Sequence, residues 1–155
     1  MGEEKAKTGH SRLDDLLFGG FPFGTNALIV GEPFIGKETL ANLFVLEGLE
    51  KDIPALILTT ECSPVDIIKE LKYIDEDIEK YSEKGLLKFI DAYSKSMALD
   101  EERDDTIVVE NLTDYEGIYK AIEEVSKNFS EKSNYFKMVV RPISTLLTYS
   151  DPSTT

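Results

Sequence analysis

Residues 27–51 constrain the fold more than any other stretch of this chain. Ala27-Leu28-Ile29-Val30 is an unbroken apolar run. It leads into Gly31-Glu32-Pro33-Phe34-Ile35-Gly36-Lys37-Glu38-Thr39. An apolar run of this kind predicts a short strand buried on both faces, as in parallel sheets. Leu40, Phe44, Leu46 and Leu49, widened by Leu43 and Val45, predict a helix over 37–51. Between strand and helix, the spacing G-x-x-x-x-G-K turns backbone N–H groups and a helix N-terminus toward one point. Gly31 and Gly36 permit the tight backbone path, and Lys37 adds a cation. That arrangement suits phosphate. The competing reading is a plain strand-to-helix turn with an exposed lysine; the strand before and the helix after favour phosphate.

Strand and helix patterns continue to alternate. Ala55-Leu56-Ile57-Leu58 predicts a second buried strand. Ser63 caps, and Pro64 opens, a helix bearing Val65, Ile67, Ile68 and Leu71. A further helical turn or two is expected within 75–84, closed by Gly85. Strands are expected over 86–90 and 136–140, and a helix over 115–129. Residues 94–112, with the charge run 100–105, read as a solvated irregular loop. Ahead of the glycine loop, 11–17 predicts a short helix with Ser11 as cap and Asp14 at the capping-box position, ended by Gly19-Gly20. Residues 21–24 read as a turn. The expected organisation is a flexible N-terminus over 1–7 and one domain over 8–155. The fold class is α/β, a mostly parallel sheet flanked by helices in three layers.

Composition narrows the function classes. A chain of 155 residues suits one domain with its own core. No apolar run is long enough to span a bilayer, the polar start is unlike a signal peptide, and no membrane partner is expected. The single cysteine, Cys62, excludes an internal disulfide framework and a cysteine-based zinc site, which fits a cytoplasmic protein. The only histidine, His10, is expected to be exposed. With a net charge of −13 and no long basic stripe, nucleic acid is a disfavoured partner.

Several separate segments resemble one family. Thr8-Gly9, then Arg12-Leu13-Asp14-Asp15-Leu16-Leu17-Phe18-Gly19-Gly20-Phe21-Pro22-Phe23-Gly24-Thr25, then the glycine loop, are similar to the opening of KaiC/RadA-type ATPases of the RecA superfamily. Leu58-Thr59-Thr60-Glu61-Cys62-Ser63-Pro64 resembles the end of that family's next strand. Arg141-Pro142-Ile143-Ser144-Thr145-Leu146-Leu147 resembles its Walker B strand and sequel. The resemblance covers nearly the whole chain. It implies a RecA-like P-loop fold, a nucleotide (ATP or ADP, with or without Mg2+), and association into ring-like homo-oligomers or with a protein partner.

The departures from the family pattern cluster at one place. Glu38 stands where the magnesium-holding hydroxyl belongs. It is either a direct magnesium ligand, or it turns to solvent and leaves the hydroxyl role to Thr39, about 100° round the helix. Phe34 replaces a usual glycine, with a ring large enough to cover the phosphate site. Arg141 replaces the Walker B carboxylate and reverses the local charge. It is expected either to pair with Glu38 or to meet phosphate directly. Of the family's paired glutamates, Glu61 remains and Cys62 takes the second place; Glu61 is either the base that orients water or a carboxylate capping the next helix. The family core also continues beyond this Walker B strand, so the sheet is expected to be incomplete at its C-terminal end.

The expected site is therefore 31–39 with Arg141 for the nucleotide, Glu61 as the catalytic candidate, and no assigned metal ligand set. Three readings stay open: a regulatory nucleotide-binding module with weak or absent hydrolysis, a magnesium-dependent ATPase with a rearranged site, and a nucleotide-free scaffold.

Overall fold

The computed structural model describes residues 5–100 and 102–149. Six strands and six helices occur among them: β1 (Lys5–Ala6), α1 (Ser11–Leu16), β2 (Phe21–Pro22), α2 (Lys37–Leu49), β3 (Ala55–Thr59), α3 (Pro64–Lys72), α4 (Glu79–Glu83), β4 (Leu87–Asp91), β5 (Thr106–Val108), α5 (Tyr115–Ser130), β6 (Lys137–Arg141) and α6 (Ile143–Tyr149).

Four strands form one parallel sheet in the order β5-β4-β3-β6. Ala55 lies opposite Leu87 on one side and Lys137 on the other. Side chains of β3 alternate between two cores, as strand geometry requires. Ala55 and Ile57 pack with Val45 and Leu49 of α2 and Ile67 and Leu71 of α3. Leu56 and Leu58 pack with Ile118, Val125 and Phe129 of α5, joined by Met138 and Val140 of β6. Burying each such side chain stabilises the fold by about 1.5–3 kcal/mol. The α/β reading with helices on both faces holds.

Local chemistry sets the helix ends. Ser63 Oγ accepts from the Asp66 N–H, and Pro64 occupies the first turn of α3. Asp114 caps α5 through the Gly117 N–H at 2.9 Å. At α1 the cap is His10 rather than Ser11: its Nδ1 accepts from the Leu13 N–H. Asp14 instead faces back, accepting from the Thr8 N–H at 2.7 Å and hydroxyl at 2.8 Å.

Three expectations change. Residues 27–30 form no strand: Leu28 and Val30 are 71% and 81% exposed. An apolar run becomes a buried strand only if a sheet edge receives it, and among the described residues β6 pairs with β3 alone. The stretch 94–112 is more regular than expected: a 3-10 turn at Ser94–Met97 and the strand β5 occupy it. Arg103 anchors it, donating to Asp105 and Glu79 at 2.7 and 3.0 Å. Phe21–Pro22 pairs with Lys5–Ala6 as an antiparallel ribbon. Of the N-terminal lead 1–7, residues 1–4 lie outside the described residues, as do 150–155.

Lys137, a charged residue buried at the start of β6, is held by the carbonyls of Lys7 (2.8 Å) and Phe44 (2.9 Å) and by Glu47 Oε2 (2.6 Å). Burial lowers the pKa of this lysine, although Glu47 opposes the shift. Gly48 leaves room for the lysine stem, since a Cβ there would lie 2.9 Å from Lys137 Cδ.

Candidate functional site

The direction of α2 places the glycine loop. Near the end of α2, Glu47 meets Lys137, the first residue of β6. Nearer its start, Asn42 meets Arg141, the last residue of β6. The helix therefore runs antiparallel to the strand, and its N-terminus stands at the carboxyl ends of β3, β4 and β6. Crevices that hold ligands in open α/β sheets lie at that end.

Gly36, at φ 93°, is the residue before α2, and Lys37 opens the helix. Lys37 Nζ donates to the carbonyls of Gly31 (2.9 Å) and Glu32 (2.6 Å), folding the lysine across its own loop. A Cβ at Gly31 would lie 2.3 Å from Ile35 Cδ1, so a larger residue there would push the exposed Ile35 side chain aside. Phe34 adopts φ 64°, in the left-handed region that favours glycine. Its ring is wholly exposed and does not cover the loop. Glu32, Pro33 and Ile35 are exposed as well, as are Glu38 and Thr39 in the first turn of α2.

Arg141 does not pair with Glu38. Its guanidinium donates through Nη1 to Asn42 Oδ1 (3.1 Å) and through Nη2 to Glu70 Oε2 (2.9 Å), and the Asn42 amide donates to the same Glu70 oxygen (3.3 Å). The reason is register. Arg141 projects to the α2 and α3 face, with Lys137 and Val139. There it meets α2 one turn below Glu38, where Glu70 of α3 offers the carboxylate. The Arg141 side chain is only 11% exposed, so this triad joins β6, α2 and α3 beneath the loop.

Glu61 follows β3 at the same end of the sheet. It does not cap α3, a role Ser63 fills; its Oε1 accepts from the Thr145 hydroxyl of α6 at 2.7 Å. Thr60 Oγ1 donates to the carbonyls of Arg141 (3.2 Å) and Pro142 (2.9 Å), across a cis Arg141–Pro142 bond. Cys62 is half-buried, and burial pushes its thiol above the ordinary pKa, against nucleophilic use.

The structure thus gathers 31–39, Arg141 and Glu61 at one end of the sheet, but with Arg141 engaged elsewhere than expected. Sequence reasoning passed over Asn42, Glu70 and Thr145. Only Asn42 left a trace: a polar residue in the stripe that Val45, Leu46 and Leu49 continue.

The magnesium ion used by this type of loop finds poor support. A cation, Arg141, stands where the resemblance puts a carboxylate, Glu61 is bonded to Thr145, and Glu38 is exposed on the first turn. Among the described residues, no group of three or more His, Cys, Asp or Glu side chains is placed to hold a metal. No helix among them is long and apolar enough to cross a membrane.

Sequence comparison finds relatives over most of this chain. A UPF0273 protein of Pyrococcus furiosus is 28% identical over 142 residues, 92% of this chain and 56% of its own length. A UPF0273 protein of Sulfurisphaera tokodaii is 29% identical over 137 residues, covering 86% of this chain and 46% of the relative. One from Thermotoga maritima is 24% identical over 143 residues, with 92% and 57% covered. The chain spans about half the length of the curated relatives it matches. The family model for the KaiC ATPase matches residues 6–154, and the chain belongs to that family.

Proposed function

We propose that this chain is a nucleotide-binding module with an altered metal site, regulatory in role, with slow or absent hydrolysis. The observation that carries the reading is the loop itself: Gly36 in a left-handed turn ahead of a 13-residue helix, with Lys37 folded over the Gly31 and Glu32 carbonyls. Such a loop offers N–H donors and a helix N-terminus to a polyphosphate. Lys37 has only its own loop carbonyls to leave. Hydrolysis needs charge placed around the transferred phosphoryl group, and the residues that place a metal in relatives of this type differ here at Glu38 and Arg141. Glu61 is the one candidate for orienting water, and its bond to Thr145 fixes its position.

Arg141 pairs with Glu70 rather than with Glu38, which leaves the first turn of α2 exposed and favours the nucleotide reading. The single cysteine supports a cytoplasmic setting. Among the described residues β6 pairs with β3 alone, and this edge, with the exposed run 27–30, supports association with further chains.

Calorimetric titration with ATP and ADP tests the reading. Binding is expected to weaken at least tenfold in Lys37→Ala, the scale of a lost charge-assisted contact. No heat with either nucleotide under any condition would end it. Rapid phosphate release lost in Glu61→Gln would turn the module into a working ATPase.

A further inference from the structure

The polar triad beneath the loop has no evident need to contain charge. Arg141, Asn42 and Glu70 join three elements that already share an apolar core, and a half-buried ion pair adds little stability over apolar packing of the same volume. The pair is also asymmetric. The Arg141 side chain is 11% exposed and Glu70 41%, so the carboxylate is the more easily displaced partner. Asn42 lies five residues along α2 from Lys37, about 7.5 Å at 1.5 Å per residue. A guanidinium released from Glu70 and turned up the helix arrives beside the first turn, where the loop presents its N–H groups. Glu38, four residues before Asn42, is exposed on the same helical face.

We propose that the chain takes its nucleotide as the metal-free polyphosphate, and that Arg141, exchanging Glu70 for a phosphate oxygen, supplies the positive charge that a divalent ion would otherwise bring. This rests on the nucleotide reading above and specifies the ligand's form and a device for recognising it. In the absence of nucleotide, Glu70 acts as an internal anion that occupies Arg141. A planar guanidinium suits the exchange because one fork of donors fits carboxylate and phosphate alike. Magnesium held by ATP would bring a second cation toward Arg141, which stands where the resemblance puts a metal-binding carboxylate.

The test is calorimetry of ATP with the full chain, in EDTA and again in excess magnesium. The affinities are expected to agree within about threefold, or to be weaker with the metal; tightening of tenfold or more with magnesium would overturn the proposal. Silence in both conditions would instead end the nucleotide reading on which it rests. Glu70→Gln frees Arg141 and is expected to tighten ATP by about tenfold, the weight of one charge-assisted contact. An unchanged affinity would leave Arg141 as a strut and overturn the exchange. Removing a negative charge could help an anion by itself, so the same change is made in Arg141→Gln. A gain of equal size in that background overturns the proposal, and loss of the gain supports it. If Arg141→Gln does not fold, Arg141→Lys takes its place: it keeps the charge and loses the fork, and the gain is expected to shrink.

Discussion

At the scale of single residues, a lysine at the start of β6 is the least expected feature of the core. Lys137 is held by two carbonyls and Glu47, with the Phe44 ring 4.3 Å from its ammonium. Lys137→Met is expected to cost about 3 kcal/mol in urea unfolding, because Glu47 loses its buried partner. Burial pushes the Glu47 carboxyl upward, but its bonds to Lys137 and Lys51 outweigh this and leave it below the ordinary 4.5. A folded-state value below the unfolded one means that the unfolded chain binds the proton first. The stability from this group is therefore complete above pH ~4.5 and fades as the pH falls through the lowered value. Glu79, bonded to Arg103 and Lys72, adds to the same acid loss. Calorimetric melting between pH 6 and 3 should show the fall, and Glu47→Gln should flatten it. Phe34 is the opposite case, a side chain that touches nothing and strains its backbone. Phe34→Gly should raise the denaturation midpoint by an amount equivalent to up to about 1 kcal/mol.

At the scale of elements, legibility in the sequence depended on where each element's partners lie. The caps Ser63 and Asp114 sit within three residues of the N–H groups they satisfy, so α3 and α5 could be read directly or from periodicity. Strands β3, β4 and β6 carry their own burial in short apolar runs. The strand β5 is not legible in the sequence, because Thr106–Val108 is brief and follows the acidic run that Arg103 neutralises only in three dimensions. Residues 27–30 looked like a strand because composition reports tolerance for burial, whereas burial needs a neighbour. At the site, the loop was legible as a contiguous motif. The partner of Arg141 was not, since Glu70 is 71 residues away and belongs to a helix with its own amphipathic pattern. A comparison of two β-branched positions checks this account. Val30→Thr is expected to change stability by less than about 0.5 kcal/mol. Ile57→Ala, fully buried in β3, should cost about 3 kcal/mol. Equal losses in equilibrium denaturation would mean that 27–30 is packed after all.

At the scale of the whole molecule, acidity and exposed apolar surface act together. With a net charge of −13 and a pI near 4.5, self-repulsion keeps the chains apart at neutral pH and vanishes in the same range where the Glu47 and Glu79 pairs fail. Light scattering should therefore show association rising steeply near pH 4.5, driven by the exposed run 27–30 and the β6 edge; a Leu28→Asp, Val30→Asp chain should associate less. The reach of one side chain also sets an order of events. Lys137 closes on the carbonyl of Lys7, 130 positions earlier. During synthesis, the ribbon of β1 and β2 must wait until Lys137 has emerged before this anchor exists, and loop-closure entropy delays contacts of such span. Residues 5–24 are thus secured only after β6 has been made. In a pulse-proteolysis time course of refolding, cleavage within 5–24 should persist until β6 has joined β3.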